Sequence, residues 1–375
     1  MFDANKEYGM RIGVNLLNLR LGVMGGFETF ARKIVDYLPA CNEEDEIIFI
    51  VNRHNESFVP ASRIKKVIDW DLSVTNFYRI LQALFPLLCN SAEKDIASLK
   101  LDVLFFPHQA MFPIRINCPS VLNIADVQHL YFPQYFTWRD HWFRRASYDR
   151  AVKTCDQIIA ISNFTAACLR ERYSVADENI DIVHHGFEPS SSVSKVLPVK
   201  LDSPYIYYPA ASFKHKGHRV LFESIAQLKH DNEFPYVLVL SGVRDAHWNS
   251  LAADIIRLGI VDVVLDFGFI DYSEVVGLYR GADAIVFPTE FEGFGLPVLE
   301  AAQYEKKIIC SRLDVFNEIG VPQAFQIDFS DPHQLKSALN SNKPYALEKN
   351  TITWAESISK IYDVLRKTAA RGVKI

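Results

Sequence analysis

Short apolar runs alternate with amphipathic segments along the chain from Arg11 onward. The runs have the composition of buried strands, whereas the segments between them carry apolar residues at the three- and four-residue spacing of helices. This order predicts parallel sheets whose strands are joined by crossover helices. In the first half the predicted strands are RIGVNLL, EIIFIVN, DVLFFPH, SVLNIAD, QIIAIS and DIVHHG, and the clearest helices are GFETFARKIVDYL and NFTAACLRERY.

The alternation stops after Gly186 and restarts near Tyr205. The segment between them, EPSSSVSKVLPVKLDSP, is polar and bounded by prolines, and it is predicted to be an interdomain linker because it could not build a core. The later predicted strands are YIYYPAA, YVLVLSG, VVLDFG, DAIVFPT and KIICS. A final helical pattern, TITWAESISKIYDVLRK, runs from Thr351 to Lys367.

These patterns predict an α/β chain of two doubly wound, Rossmann-like domains with parallel sheets. We place the N-terminal domain at residues 1–190 and the second domain at residues 191–350. A C-terminal helix at 351–375 is expected to pack back towards the N-terminal domain. Functional loops of open parallel sheets leave the carboxyl ends of the strands, so the cleft between the two domains is the expected site.

Composition narrows the class of protein. The 375 residues suggest about two domains, and the net charge of −5 argues against nucleic acid as a partner. Six cysteines lie far apart, without metal-ligand spacing, and we interpret them as reduced thiols of a cytoplasmic protein. The first residues lack a signal-peptide pattern, and no apolar stretch approaches the roughly 18 residues of a membrane span, so we expect a soluble chain.

The stretch PTEFEGFGLPVLEAAQ carries the most specific pattern. Glu292 precedes a Gly-x-Gly turn, Pro297 lies near the first position of a predicted helix, and Glu300 lies one turn into it. The start of such a helix attracts phosphate. Two carboxylates beside a diphosphate need neutral hydroxyls to bond, which favours a nucleotide sugar over a bare phosphate. A strand-to-helix turn with solvated acids fits the spacing equally well.

Two further loops follow predicted strands. LRLGVMGGFETF, with Gly25 and Gly26, resembles a phosphate cradle but matches neither the Gly-x-Gly-x-x-Gly nor the Walker pattern, and a simple tight turn also explains it. YYPAASFKHKGH offers Lys214, His215 and Lys216 together, cations that suit an anionic diphosphate. A solvated helix start is the alternative interpretation of this second loop.

Histidines also occur near predicted strand ends. NIADVQHLYFPQYF supplies Asp126 and His129, and His129 could orient a hydroxyl or accept a proton from it. His108, His184 and His185 are placed similarly, so position alone does not choose among them.

Taken together, these stretches resemble the retaining GT-B glycosyltransferases of family four. The resemblance covers nearly the whole chain and is carried by the Gly25-Gly26 loop, DVQHLYFPQYF, AISNFTAACLRERY, DIVHHG, the HKGH loop, LYRGADAIVFPTEFEGFGLPVLEA and the closing tryptophan-bearing helix. It implies the GT-B fold, in which two Rossmann-like domains face a cleft. It also implies transfer from a nucleotide diphosphate sugar, with no metal and no cofactor.

The resemblance implies roles for individual residues of the second domain. Glu292 would contact the donor sugar, and Glu300 the ribose hydroxyls of the nucleotide. Main-chain groups of Phe294, Gly295 and Leu296 would contact the sugar and the diphosphate.

Other implied roles concern the first domain and the cationic loop. His129 would stand near the transferred sugar and the acceptor, and Gly25 and Gly26 would let the first domain approach the diphosphate. Lys216 would neutralise the departing diphosphate.

One departure from the family pattern concerns the diphosphate. The family often has a Gly-Arg pair shortly before the lysine, and here those positions hold Ala210 and Ala211. Because that arginine is absent, Lys214 or His215 would share the task with Lys216.

The implied reaction is same-face attack with retention at the anomeric carbon, the leaving diphosphate accepting the acceptor's proton. The His-Lys-x-His loop resembles mannosyltransferases, so a mannose-type hexose is expected, with GDP-mannose as the first candidate donor and a UDP-sugar as the second. The acceptor would be a glycan or lipid-linked molecule in bacterial surface polysaccharide or glycoconjugate assembly. The alternatives are a non-catalytic nucleotide-sugar-binding subunit and a nucleotide-sugar epimerase on the same fold.

Two aromatic and basic stretches in the first domain are candidates for peripheral contact with the inner face of a membrane. They are NFYRILQALFPLLC (Asn76 to Cys89) and FTWRDHWFRRASYDR (Phe136 to Arg150). A buried helix is the alternative for the first stretch, and a solvated helical face with packed aromatic residues is the alternative for the second.

Overall fold

A computed structural model of the chain describes residues 9–22, 26–68, 91–188, 196–341 and 352–372. The chain divides into two units. The first unit consists of Met1–Gly186 with Ile352–Ile375, and the second unit is Phe187–Thr351. The division at 186/187 precedes the sequence-based boundary at 190/191, which lies outside the described residues.

The first unit is built on a seven-stranded parallel sheet with the order β3-β2-β1-β4-β5-β6-β7. Its strands are β1 (Arg11–Asn15), β2 (Glu46–Asn52), β3 (Lys65–Ile68), β4 (Val103–Phe106), β5 (Ser120–Ile124), β6 (Gln157–Ala160) and β7 (Ile180–Ile182). Its first helices are α1 (Gly26–Tyr37), α2 (Ser91–Ser98), α3 (Gln128–Tyr131), α4 (Trp138–Arg144), α5 (Arg150–Thr154) and α6 (Asn163–Tyr173).

The second unit repeats this arrangement with six parallel strands in the order β10-β9-β8-β11-β12-β13. Its strands are β8 (Tyr205–Pro209), β9 (Val237–Ser241), β10 (Val264–Asp266), β11 (Ala284–Phe287), β12 (Lys307–Ser311) and β13 (Gln326–Ile327). Its helices are α7 (His218–His230), α8 (Trp248–Arg257), α9 (Tyr272–Gly281), α10 (Leu296–Ala302), α11 (Asp314–Glu318) and α12 (Pro332–Leu339).

The last helix, α13 (Trp354–Arg371), packs within the first unit. A capping box of Thr353 and Glu356 starts it, and its buried residues recur at helical spacing. The hydroxyl of Ser357 donates to the carbonyl of His184 over 2.7 Å, and that of Tyr362 donates to Asp45 over 2.7 Å. These bonds fix the helix beside α1, β4 and β5, where it covers one face of the sheet.

Alternating side chains of the first sheet enter two separate cores, as both faces of a doubly wound sheet require. Phe105 packs on one face with α1 and α13, whereas Leu104 and Phe106 pack on the other with α2 and α6. A parallel sheet that is covered on both faces is exposed only at its ends. The carboxyl ends of the strands therefore remain for function.

Most predicted strands lie where expected, with some shortened at their ends. The edge strands β3 and β13 were not predicted because KKVI is half charged and β13 has only two residues. The C-terminal helix begins at Trp354, three residues after the predicted start at Thr351, and continues to Arg371. The predicted segment Asn76 to Cys89 lies outside the described residues.

Candidate functional site

The second sheet reverses its strand order between β8 and β11. Two loops follow these adjacent strands at the switch point, residues 210–217 after β8 and residues 288–295 after β11. This crevice is the place where open α/β sheets bind ligands. It also contains two of the sequence motifs, HKGH and EFEGFG.

The two loops are hydrogen-bonded to each other at the carbonyl of His215. The carbonyl of His215 accepts hydrogen bonds from the Thr289 hydroxyl at 3.1 Å and the Glu290 amide at 2.8 Å. Gly217 has φ +70°, and a Cβ there would lie 2.0 Å from the carbonyl oxygen of Pro288. Glycine is therefore required on both steric and conformational grounds.

A cavity of about 150 Å³ opens at this crevice. The ammonium of Lys216 donates to Oε2 of Glu292 over 2.8 Å, and each side chain is 20% exposed. Sequence analysis selected both residues, and the structure brings them together in one ion pair. The cavity is lined by Tyr208, Ala210, Ala211, Lys216, Phe287, Glu292, Gly295 and Val298, among others.

The turn before α10 is shaped by Gly295, whose φ is +95°. A Cβ at this position would lie 3.1 Å from Ile319 and 3.3 Å from Phe316, so the turn is packed closely. Phe294 is buried and Leu296 is the first residue of α10. The predicted main-chain contacts of residues 294–296 would thus come from a fixed turn at the cavity edge.

Glu300 lies on α10 and does not line the cavity. Burial raises the pKa of its carboxyl to about 7. Among the described residues no donor bonds this carboxylate, so burial disfavours its ionised form without compensation from the protein. The charge of Glu300 contributes, after burial, to the raised pKa values of Tyr272 and Tyr279.

The other predicted cations differ in placement. Lys214 is exposed, and the ring of His215 stacks on Phe213 with centroids 5.9 Å apart. Sequence reasoning missed Arg244, which follows β9 and donates from Nη1 to the carbonyl of Ala210 over 3.3 Å. The signal available in the sequence was its position directly after an apolar strand.

The first unit encloses His129 completely. Its ring is 0% exposed and packs edge-on against Tyr148, with ring centroids 5.2 Å apart. Burial, followed by the charges of Arg144, His141 and Arg145, lowers its pKa to about 3. The neutral form is therefore favoured, and the predicted contact with a sugar or acceptor stays a prediction.

Other predicted groups of the first unit have varied surroundings. Gly26 begins α1 and a Cβ there would meet nothing within 4 Å, whereas Gly25 lies outside the described residues. His108 is buried, and His185 stacks on Phe30 with centroids 4.5 Å apart. A side chain at position 26 would therefore cause no steric clash with the described residues.

Buried amides bind the loop after β1. Asn55 donates to the carbonyls of Leu16 and Leu19 at 2.8 and 3.0 Å, and Asn52 donates to Leu17 at 3.0 Å. Both asparagines are at most 1% exposed. These bonds satisfy loop carbonyls that the sheet leaves without partners and fix residues 16–19.

Two possible features do not occur in the described part of the chain. Within residues 9–22, 26–68, 91–188, 196–341 and 352–372, no three His, Cys, Asp or Glu side chains are grouped to hold a metal. None of the helices in these ranges is both long and apolar enough to cross a bilayer.

Family models match both halves of the chain. Residues 24–191 match the model described as Glycosyltransferase Family 4. Residues 191–343 match the model described as Glycosyl transferases group 1, and this region contains the cavity and the Lys216–Glu292 pair.

Curated relatives are similar over part of their length. The O-antigen chain mannosyltransferase RfbU of Salmonella typhimurium is 24% identical over 222 residues, which are 59% of this chain and 60% of that relative. A D-inositol 3-phosphate glycosyltransferase of Corynebacterium kroppenstedtii is 24% identical over 261 residues, 61% of this chain and 57% of the relative. The matches therefore span about three fifths of these relatives.

Solved structures are similar over nearly the whole chain. A sucrose-phosphate synthase from Thermosynechococcus elongatus has a TM-score of 0.66 at 14% identity and covers 97% of each chain. Anabaena HepE, in complex with UDP and glucose, has a TM-score of 0.62 at 16% identity, with 97% of this chain and 98% of HepE covered. WaaG, a glycosyltransferase involved in lipopolysaccharide biosynthesis, has a TM-score of 0.62 at 16% identity, with 96% and 98% covered. This likeness confirms the predicted fold class, GT-B.

Proposed function

We propose that this chain transfers a hexose from a nucleoside diphosphate sugar. Its residues 24–191 belong to glycosyltransferase family 4, and its residues 191–343 belong to the group 1 glycosyl transferases. Transfer proceeds with retention and without a metal ion. The acceptor is a glycan or a lipid-linked sugar of a bacterial surface polysaccharide. The Lys216–Glu292 ion pair in the cavity of the second sheet is the observation that carries this proposal.

The pair suits both halves of a nucleotide sugar. A lysine ammonium has three donors, and the bond to Glu292 uses one of them, so two are left for phosphate oxygens. A carboxylate offers about four acceptor sites, so Glu292 can bind Lys216 and still accept from sugar hydroxyls. Each charge is then paired both before and after the donor binds, which limits the cost of burying it.

Lys216 acts on the leaving group. As the bond between the anomeric carbon and the phosphate oxygen breaks, negative charge grows on the diphosphate, and a fixed ammonium stabilises that charge. The acceptor oxygen bonds to the same face of the anomeric carbon. Its proton passes to the departing phosphate oxygen, so charge and atoms balance without a protein nucleophile. Glu292 holds the sugar hydroxyls during this exchange.

Glu300 suits the ribose of the donor. Its carboxylate is partly buried, and none of the described residues donates to it. Two ribose hydroxyls would donate to it. The rings of Tyr279 and Tyr304, whose pKa values the charge of Glu300 helps to raise, stack with centroids 5.2 Å apart.

The names of the relatives support the choice of donor. RfbU is described as a mannosyltransferase, and so are other relatives from Escherichia coli and Mycolicibacterium hassiacum. This favours a mannose-type sugar, with GDP-mannose as the first donor to test. HepE was solved with UDP-glucose, which makes a UDP-sugar the second.

The acceptor side is assigned to the first unit, and we extend the proposal to a membrane surface contact there. Trp138 and Trp142 are 75% and 44% exposed, and the guanidinium of Arg139 lies 5.3 Å from the ring of Trp138. Exposed tryptophans beside arginines suit the interface of an anionic bilayer. A lipid-linked acceptor would be presented at such a surface.

A donor panel tests the proposed activity. The full chain is incubated with GDP-mannose, GDP-fucose, UDP-glucose and UDP-galactose in the presence of EDTA, and release of nucleoside diphosphate is followed. We expect slow release from one donor without acceptor, because water replaces the acceptor hydroxyl. Thermal shift with GDP and UDP gives the base independently, since a ligand stabilises the native state according to its occupancy.

Two outcomes would replace the proposal. Tight binding of a nucleotide sugar with no release under any acceptor would favour the non-catalytic subunit, and recovery of an epimerised donor sugar would favour the epimerase. Loss of release in EDTA that returns with magnesium would overturn the metal-independent mechanism.

A further inference from the structure

The cavity of the second unit carries little net positive charge for a group as anionic as a diphosphate. Lys216 supplies its ammonium, but that ammonium is already bonded to Glu292 over 2.8 Å. Ala210 and Ala211, which also line the cavity, offer no side-chain donor. A second cation close to these alanines would complete the site.

Arg244 lies beside Ala210 although it comes from another loop. It follows β9, which pairs with β8 so that Pro209 lies opposite Ser241. Its Nη1 donates to the carbonyl of Ala210 over 3.3 Å. Strand pairing thus brings the guanidinium to the backbone position where a preceding arginine is missing.

The guanidinium of Arg244 is held in one orientation. Its Nε donates to Asp266 over 3.2 Å, Nη2 bonds the other carboxylate oxygen, and the group lies 4.2 Å from the ring of Trp248. The side chain is 15% exposed. A cation fixed in this way loses little entropy when it binds a ligand.

We propose that Arg244 is the second cation that binds the diphosphate of the donor, in place of an arginine before Lys216. This inference rests on the proposed function. The guanidinium has five N–H donors, of which the described bonds use three. The remaining two suit the oxygens of one phosphate group.

The positive charge of Arg244 contributes to the pKa of His218, the residue that follows the loop of Lys216. Burial, and after it the charge of Arg244, lowers the pKa of His218 to about 3. His218 begins α7 directly after the Lys216 turn, and its ring lies 4.8 Å from that of Tyr208, a cavity residue. The charge of Arg244 therefore contributes, after burial, to keeping His218 neutral next to the Lys216 turn.

The alternatives inside the loop are less suitable. Lys214 is exposed, so solvent would screen its charge. The ring of His215 stacks on Phe213, and its carbonyl is occupied by Thr289 and Glu290. Only Arg244, among these three candidates, is both fixed and adjacent to a residue that lines the cavity.

The test compares nucleoside diphosphate with nucleoside monophosphate. The full wild-type chain, Arg244→Ala and Arg244→Lys are titrated with GDP, GMP, UDP and UMP by calorimetry. We expect Arg244→Ala to weaken the preferred diphosphate by about tenfold to a hundredfold and the monophosphate by much less, since charged hydrogen bonds to the second phosphate are lost. Arg244→Lys should be intermediate because it keeps charge without the planar fork.

Arg257→Ala is the matched control. Arg257 is also an arginine of the second unit, paired with Asp254 over 2.9 Å, and it lies at the end of α8. The Arg257→Ala variant should bind the diphosphate with the affinity of the wild type. Circular dichroism shows whether Arg244→Ala folds. If it does not, Arg244→Lys still decides, because wild-type diphosphate affinity in that variant would contradict the proposed two-donor bond between the guanidinium and a phosphate group.

The outcomes separate this inference from the function. Arg244→Ala that binds diphosphate within twofold of wild type overturns the role of Arg244 and leaves the proposed function intact. Equal loss for monophosphate and diphosphate also overturns it, because that result indicates a structural role. A wild-type chain that binds no nucleoside diphosphate overturns the proposed function itself.

Discussion

The two sheets share one strand order but carry different polar groups at the carboxyl ends of their strands. The first sheet carries buried neutral groups there, such as Asn15, Asn52 and Asn123, which are 3% exposed or less. The second sheet carries ion pairs, Lys216 with Glu292 and Arg244 with Asp266. Topology is therefore common to both units, and the chemistry of the strand ends distinguishes them.

The two kinds of polar group suit different tasks: the amides of the first sheet bind loops, whereas the ion pairs of the second sheet suit a charged ligand. Neutral amides satisfy loop carbonyls without any cost of burying charge, so they suit a scaffold. Two buried histidines of the first unit, like His218 of the second, follow the same rule, because burial lowers the pKa of His129 and of His185 to about 3 and favours their neutral forms. Replacing a strand-end amide of the first unit should therefore change stability, whereas replacing a member of the Lys216–Glu292 pair of the second unit should change catalysis.

The largest effect is expected from breaking the ion pair of the second unit. Glu292→Ala and Lys216→Ala should each lower the rate of transfer by about a hundredfold to a thousandfold, the range found when one preorganised electrostatic contact is removed. Glu223→Ala, an exposed acid on α7, is the control and should transfer at the wild-type rate. Turnover is measured by diphosphate release after circular dichroism has shown that each variant folds. Wild-type turnover in a folded Glu292 or Lys216 variant removes that residue from the site.

The next effect concerns the close contact between the loops of the second unit. Gly217 and Gly259 have similar φ values, +70° and +66°, but a Cβ at Gly217 meets the Pro288 carbonyl whereas one at Gly259 meets nothing. Gly259→Ala should cost only the left-handed strain, about 1 kcal/mol. Gly217→Ala should cost on the order of 3 kcal/mol, because backbone must also move, and it should weaken diphosphate binding. Urea unfolding of both variants checks this, and equal losses would show that the contact does not matter.

The amides of the first unit provide the reciprocal test. Asn55→Ala removes two donors to buried loop carbonyls and should lower the free energy of unfolding by about 1–3 kcal/mol. Diphosphate affinity should stay within twofold of wild type, because Lys216 and Arg244, the proposed diphosphate-binding cations, belong to the second unit. Asn249→Ala, at an exposed position on α8, should change stability by less than about 0.5 kcal/mol. A large loss of diphosphate affinity in Asn55→Ala would break the comparison between the units.

Sequence patterns predicted the long buried strands and both members of the ion pair but not their bond. Apolar runs such as EIIFIVN dominate local preference, so their strands are visible in the sequence, whereas the charged edge strand β3 is stabilised mainly by pairing with β2. The Lys216–Glu292 bond depends on β8 pairing with β11, although two strands intervene in the chain. Arg244 was missed for the same reason, because only the β8–β9 pairing brings it to Ala210.

The acidic group on α10 gives a pH test of the second unit. Glu300 has a pKa of about 7, and the ribose hydroxyls need its ionised form as acceptor. Diphosphate affinity should therefore rise with pH up to about 7 and fall by about tenfold per pH unit well below it. Calorimetry between pH 5.5 and about 8.5 measures this. Glu300→Gln should flatten the profile, and an unchanged slope in that variant would assign the titration to another group.

The raised pKa of Glu300 also makes the stability of the folded chain depend on pH, in the direction opposite to that of nucleotide binding. Its folded pKa lies above the ordinary value of 4.5, so the folded chain binds more protons at Glu300 than the unfolded chain does. This contribution to stability is complete below pH 4.5 and is lost as the pH rises through about 7. The apo protein should thus lose stability over the range in which nucleotide binding strengthens, and Glu300→Gln should remove both trends.

The smallest effect is expected at the exposed aromatic residues, where the comparison concerns surfaces. Trp138 and Trp142 of the first unit lie among arginines, whereas Phe269 of the second unit, 79% exposed, lies two residues from Asp271. Trp138→Ala with Trp142→Ala should reduce sedimentation with phosphatidylglycerol vesicles by roughly severalfold at low salt, since interfacial binding scales with buried apolar area. Phe269→Ala should sediment as the wild type does. If the wild type stays in the supernatant, or if the double variant sediments equally, the aromatic surface of the first unit has no membrane role, and the contrast between the units is confined to their strand ends.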